Sequence, residues 1–248
     1  MDLWKYFAIG HTDHDFMNPM SGSKFDEMIE LLKLSADARI LDVGCGKAEL
    51  LVRAAKRYQC HGVGVELSPL TIAEARKAVC AAGLGERIEL VQSGGAQYEA
   101  APESFDLACC IGASWIWQGH VGSLQALAAA TKPGGLVLVG EPYWKPGAPS
   151  DEYLAVSEFQ RDSIGTFHSN ADAGAEAGLV HLYSIASNED DWDRYEGLQW
   201  NAGERYAHAH PDDPDNEELL EKMRSYRESY LAGGRAELGW ALYLFLKS

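Results

Sequence analysis

Between Arg39 and Gly140, short β-rich runs alternate with helix-like stretches, and this alternation restricts the chain more than any other feature. The β-rich runs are Arg39 to Val43, His61 to Glu66, Ile88 to Gln92, Phe105 to Ile111 and Leu136 to Gly140. Helices are predicted over Lys47 to Tyr58, Pro69 to Ala82 and Leu124 to Thr131, the last closed by the turn Lys132-Pro133-Gly134-Gly135. Strands that alternate with helices connect by right-handed crossovers, which give a mostly parallel sheet covered on both faces. The expected fold is therefore a doubly wound α/β sheet whose ligand sits beyond the C-terminal ends of the strands.

The remaining segments read as additions to that unit. Ser23 to Leu34 has the spacing of an amphipathic helix with a Ser start signal. Pro142 to Ser150 holds three prolines and is expected to be irregular. Leu179 to Ala186 reads as a sixth strand and Trp240 to Lys247 as a seventh, separated by a helical, aromatic-bearing insertion from about Asp190 to Leu231. With no repeats and no low-complexity linker, the chain is expected to form one domain over 1–248. Its core would comprise 36–142, 168–188 and 238–248, with a helical cap built from 1–35, 143–167 and 189–237.

Charge removes several function classes. The chain carries 21 Lys plus Arg against 37 Asp plus Glu, a formal net charge of -16. Such a surface repels phosphate backbones and anionic lipid, so neither nucleic acid nor a membrane is an expected partner. No apolar run reaches the roughly 18 residues that a membrane span needs. Five cysteines with no repeated short spacing, and no signal peptide, suit reduced thiols in the cytoplasm. His11 with His14 and His208 with His210 lack the Cys or acid partners of a metal site, so no metal is expected.

The chemistry concentrates in Ile40-Leu41-Asp42-Val43-Gly44-Cys45-Gly46-Lys47-Ala48, a strand followed by a glycine turn and a helix start. Glycines there let the backbone turn sharply and approach a ligand closely. Glu66 follows Gly46 by 20 residues, at the end of the second strand, where an acid can accept hydrogen bonds from ribose hydroxyls. Nicotinamide and flavin enzymes share this layout, but their fingerprint wants a third glycine where this chain has Glu49. Asp42 weighs more heavily, because a carboxylate beside a bound pyrophosphate is repelled, by several kcal/mol where screening is poor. A ligand that carries positive charge and no phosphate suits it better.

Leu41 to Ala48 resembles motif I of the class I S-adenosylmethionine (SAM)-dependent methyltransferases, and Val65 to Pro69 resembles the acidic loop that follows it. Phe105-Asp106 and Lys132 to Gly135 resemble the approaches to that family's fourth and fifth strands, so the likeness covers roughly Ile40 to Gly140. It implies a Rossmann-like, mostly parallel seven-stranded sheet and SAM as methyl donor, released as S-adenosylhomocysteine. It places Gly44 and Gly46 against the methionine portion, Asp42 at the amino group and Glu66 at the ribose. Cys45, Leu67, Ser68 and Ile111 complete the implied site, with backbone groups of Ala96 and Gln97 at the adenine. Ala48 replaces the third small motif residue. Gly140 to Trp144 and Trp192 to Glu196 are similar to a small subgroup of poorly characterised bacterial members.

Methyl transfer from a sulfonium is an in-line displacement that depends on positioning and exclusion of water. The Asn/Asp-Pro-Pro-aromatic motif of amino-methylating nucleic-acid enzymes is absent after the fourth strand, where the chain reads Ile111-Gly112-Ala113-Ser114-Trp115. A catechol-enzyme Asp ligand and the paired-Glu loop of arginine methyltransferases are likewise missing there. A small-molecule acceptor is the expected partner of a monomer or homodimer. The alternatives are a non-catalytic SAM-binding regulatory module or an NAD(P)-dependent oxidoreductase.

Glu141, at the end of the fifth strand, is the expected base or acceptor-orienting group, with an ion pair to Arg194 as its other possible role. His14 is a second catalytic candidate. His11, Trp115, Trp117, His120, Tyr143, Trp144, Arg194 and Tyr195 are expected to line the acceptor pocket. Calorimetry is expected to detect S-adenosylhomocysteine binding and no NADH binding; the reverse pattern would return the chain to the dinucleotide class.

Overall fold

The computed structural model describes residues Met1–Ser248. Its seven strands are β1 (Arg39–Val43), β2 (His61–Glu66), β3 (Ile88–Gln92), β4 (Phe105–Ile111), β5 (Thr131–Trp144), β6 (Leu179–Ala186) and β7 (Leu238–Lys247). They form one sheet in the order β3-β2-β1-β4-β5-β7-β6. The first five strands run parallel, whereas β7 is antiparallel to both β5 and β6. Strand order reverses between β1 and β4, the switch point at which such sheets open a crevice beyond their strand ends.

Ten helices accompany the sheet: α1 (Leu3–Gly10), α2 (Gly22–Leu31), α3 (Glu49–Tyr58), α4 (Pro69–Ala81), α5 (His120–Ala130), α6 (Asp151–Leu154), α7 (Phe167–Asp172), α8 (Glu189–Ala209), α9 (Asn216–Ser229) and α10 (Arg235–Glu237). None is long and apolar enough to cross a membrane. Alternate residues of the sheet feed two cores. Ile40, Leu107, Cys109 and Leu138 pack with α2, α3 and α4, while Leu41, Val43, Ala108, Val137 and Val139 pack with α5. The parity places Asp42 on the α3 side, in register with Gly64 of β2 and Cys109 of β4.

Several elements differ from the sequence expectation. β5 starts at Thr131 and runs to Trp144, although Pro142 to Ser150 was expected to be irregular. Thr131 pairs with Phe105 and Leu136 with Leu107, so the Lys132 to Gly135 turn loops out of an otherwise continuous strand. At its other end, Glu141 to Trp144 are held by pairing with Leu238 to Ala241 of β7, a partner nearly a hundred residues away that local sequence cannot announce. The helical insertion breaks after α8, where Pro211 and Pro214 cannot continue it. Helix α1 was not anticipated; Asp2 caps it by accepting from Trp4 N at 3.1 Å.

Glycines in β2 govern how tightly the α3 side closes. A Cβ on Gly64 would lie 2.9 Å from Cys45 Sγ, Leu51 Cδ1 and Leu90 Cδ2 together. We therefore expect Gly64→Ala to destabilise the fold by about 1–3 kcal/mol through overpacking, read as a lowered denaturant midpoint with an unchanged slope.

Candidate active site

The turn after β1 is stitched to the end of β2. Gly44 N and Cys45 N both donate to Val65 O, at 2.8 and 3.1 Å. The turn requires left-handed backbone at Gly44 (φ 74°) and Gly46 (φ 54°), and a Cβ on Gly44 would stand 2.8 Å from Ala113 Cβ. Ala48 adopts the same conformation (φ 63°) as the residue before α3, fully buried; the backbone here is one a glycine would adopt without strain.

Glu66 ends β2 with its carboxylate held on two sides. Oε2 accepts from Gly46 N at 3.1 Å and Oε1 from Ser68 N at 2.8 Å. Ser68 in turn caps α4 by accepting from Thr71 N. Asp42 is different: it is 3% exposed, and no hydrogen bond to its carboxylate offsets the burial. Burial, reinforced by the Glu66 charge, pushes its pKa up to about 7. A buried acid left in this state favours a cation beside it.

These groups line a single cavity that is open to solvent. Of the residues expected at the cofactor, Asp42, Gly44, Cys45, Gly46, Glu66, Leu67, Ser68 and Ile111 line it. Ala96 and Gln97 do not. They are exposed on the short turn Gly95–Gln97, and Gly95 faces the cavity in their place. Among the expected acceptor residues, His11, Trp115 and Tyr195 line the cavity, and Trp115 remains 67% exposed at its edge.

The other candidates lie elsewhere. Trp144 is buried in a separate cluster with Tyr153 and Leu238, its indole N–H donating to Arg161 O. Tyr143 packs edge-on against Phe167, and Trp117 packs against the α5-side core. Arg194 is exposed and forms no ion pair with Glu141. Glu141 is buried off the cavity, on the α5 side of β5, because its parity is that of Val137 and Val139. Its neighbour there is His120, whose Nδ1 stands 3.9 Å from Glu141 Oε1 while Nε2 donates to Asn170 O.

Much of the cavity roof went unrecognised in the sequence. Trp4, Phe7, Asp15, Phe16, Met17 and Asn18 come from α1 and the segment after it, where no periodicity or spacing marks a site. The one local trace is Gly112, at φ 74°, where a Cβ would collide with Asn18 Oδ1. Lys47 ties this roof down, its Nζ donating to the carbonyls of His11 (2.8 Å) and His14 (2.7 Å). His14 does not line the cavity; its Nε2 donates to Tyr195 O at 2.9 Å. His11 Nδ1 donates to Phe7 O, so its Nε2 is left to accept from the Tyr195 hydroxyl at 3.0 Å. Burial, then the neighbouring His14, lowers the His11 pKa to about 4, leaving a neutral imidazole at pH 7.

Comparison with known proteins agrees with this fold. Residues 40–135 match the family model described as a methyltransferase domain. The chain is 30% identical to the uncharacterised protein YjhP of Escherichia coli K12 over 247 residues, 99% of each. The X-ray structure of YjhP superposes with a TM-score of 0.91 over 98% of this chain and 100% of that one. Two further solved structures carry S-adenosyl-L-homocysteine. One is a SAM-dependent methyltransferase from Geobacter sulfurreducens (26% identity, TM-score 0.91, 98% of each chain). The other is from Thiobacillus denitrificans (29% identity, TM-score 0.91, 100% of each chain).

A pH dependence follows from Asp42. A ligand ammonium placed beside Asp42 would favour the ionised carboxylate and lower its pKa, so such a complex would hold fewer protons than the free protein below about pH 7. S-adenosylhomocysteine affinity is expected to fall by about tenfold per pH unit below that point and to level off above it. Calorimetry from pH 5 to pH 8 would check this, and Asp42→Asn should flatten the profile.

Proposed function

The chain belongs to the class I SAM-dependent methyltransferases, and from that premise we propose that it methylates a small-molecule acceptor by in-line displacement. The observation that carries the cofactor half is the unpaired, buried Asp42 beside the tethered Glu66, below a glycine turn that leaves room for a ligand. SAM supplies a methyl group on a sulfonium, to be taken by a nucleophile aligned opposite the sulfur. The protein's part is to hold the cation at Asp42 and the ribose at Glu66, and to keep water out with the aromatic roof.

A small acceptor is supported by the roof itself. Residues of α1, the Asp15 to Asn18 segment and Tyr195 close over the cavity, and the net charge of -16 disfavours polyanionic substrates. We read the chain as one domain in which 1–35, 143–167 and 189–237 cap the sheet. Five unpaired cysteines, four of them buried, support a reducing compartment such as the cytoplasm.

We assign the acceptor's orientation to Tyr195, held in place by His11, rather than to Glu141, which lies off the cavity. Tyr195 Oη gives its own hydrogen to the neutral His11 Nε2, which leaves the oxygen's lone pairs to accept a hydrogen bond from the acceptor's nucleophile and aim it at the methyl group. The first test is calorimetric titration with S-adenosylhomocysteine. Asp42→Ala and Glu66→Ala should each weaken binding about tenfold or more, and an unchanged affinity in both variants would remove the proposed cofactor geometry. With an acceptor found by screening against labelled SAM, Tyr195→Phe should cut kcat by about a hundredfold while S-adenosylhomocysteine affinity stays within about twofold.

A further inference from the structure

The cavity that holds Asp42 and Glu66 has no cation to spare. Its only basic side chain besides the neutral His11 is Lys47, and Lys47 Nζ donates to the carbonyls of His11, Thr12 and His14, which uses all three of its N–H bonds. Four carboxylates line the same space: Asp15, Asp42, Glu49 and Glu66. A phosphate or carboxylate on the acceptor would meet these acids and find no free partner.

The apolar part of the lining is graded toward the open side. Trp4, Phe7 and His11 fall on one stripe of α1, and the Phe7 and His11 rings stand 6.0 Å apart. Helix α1 packs against α4, and exposed apolar side chains gather on these two elements: Leu3 and Phe7 of α1, Leu70 of α4, and Leu67 just before it. Trp115, exposed as well, lines the cavity from the turn after β4. Exposed apolar groups collected at a cavity mark it as a seat for an apolar ligand.

The stripe ends at His11, whose Nε2 takes the Tyr195 hydrogen, so Tyr195 Oη offers the cavity lone pairs only. It can hold an acceptor atom that carries hydrogen, and the imidazole behind it is already engaged. The nucleophile must then attack without first losing a proton. A hydroxyl is a poor nucleophile in that state, whereas an uncharged amine is a good one. An aliphatic amine is protonated at neutral pH and has no lone pair to give; an amine on an aromatic ring is uncharged there.

We propose that the acceptor is an uncharged aromatic amine with at least one N–H and no acidic group, its ring seated against Trp4, Phe7 and Trp115 and its N–H donated to Tyr195 Oη. This rests on the methyl-transfer reading. The nitrogen lone pair forms the bond to the methyl carbon as the carbon–sulfur bond breaks, and that electron pair stays on sulfur. Positive charge passes to nitrogen, where the acidic lining offsets it, and the methylated amine then releases a proton to water at the open side.

Equilibrium dialysis of the full chain tests this, with S-adenosylhomocysteine at saturation so that the cofactor's share of the cavity is filled. The probes are 1-naphthylamine, N,N-dimethyl-1-naphthylamine and 1-naphthoate. Saturable binding of 1-naphthylamine is expected. The dimethyl compound has no N–H to donate and should bind wild type about fivefold more weakly, a difference that should vanish in Tyr195→Phe. Binding of 1-naphthoate should be about tenfold weaker than that of the amine, and Asp15→Lys, which adds a free cation, should recover about fivefold. Trp115→Ala changes an exposed side chain and should weaken 1-naphthylamine about fivefold. The proposal is overturned by naphthoate binding as tight as the amine's, by a dimethyl penalty that persists in Tyr195→Phe, or by unchanged amine affinity in Trp115→Ala. Wild type that binds S-adenosylhomocysteine but no 1-naphthylamine sinks this inference alone; wild type that binds no S-adenosylhomocysteine sinks the reading beneath it.

Discussion

The backbone pairing between the β1 turn and the end of β2 is the constraint on which the rest of the site depends. Two amides, Gly44 N and Cys45 N, converge on the single carbonyl of Val65, and Gly46 N reaches Glu66 one residue later. This closeness requires residues without bulk on both sides. Gly44 leaves room for Ala113, and Gly64 leaves room for Cys45. Once the turn is seated, Asp42 is carried below it on the α3 side and is left almost wholly buried. Its raised pKa follows from where the strand puts it.

The second set of contacts joins segments far apart in the chain. Lys47, in the turn that precedes α3, fastens the carbonyls of His11 and His14, and both histidines bond to Tyr195 of α8. One lysine and one tyrosine thus hold the N-terminal segment against the motif turn. The rings of His11, His14 and Tyr195 lie within 5.0–5.6 Å of one another, so the roof is packed as well as hydrogen-bonded.

Hydrophobic periodicity located the parallel part of the sheet well, because each of those strands and helices obeys a local rule. Strands β1 to β4 and β6 match the sequence reading residue for residue. Where pairing came from afar the reading fell short. Pro142 to Trp144 became strand only because β7 returned beside them, and Glu141 faced α5 because the strand continued with its parity intact. Trp144 and Tyr143, expected at the acceptor, were drawn into aromatic packing with Tyr153 and Phe167.

The sequence by itself determined the sheet type and the juxtaposition of Asp42, the glycine turn and Glu66, because these are placed by consecutive residues of two strands. Their geometry is a property of β1, β2 and the turn, which the chain specifies locally. The roof, the burial of Glu141, and the meeting of His11, Lys47 and Tyr195 were decided only by the tertiary structure. Those contacts join α1, α3 and α8 across as many as 184 residues. No local spacing encodes which side chain of one segment will meet which of another once the helices have docked.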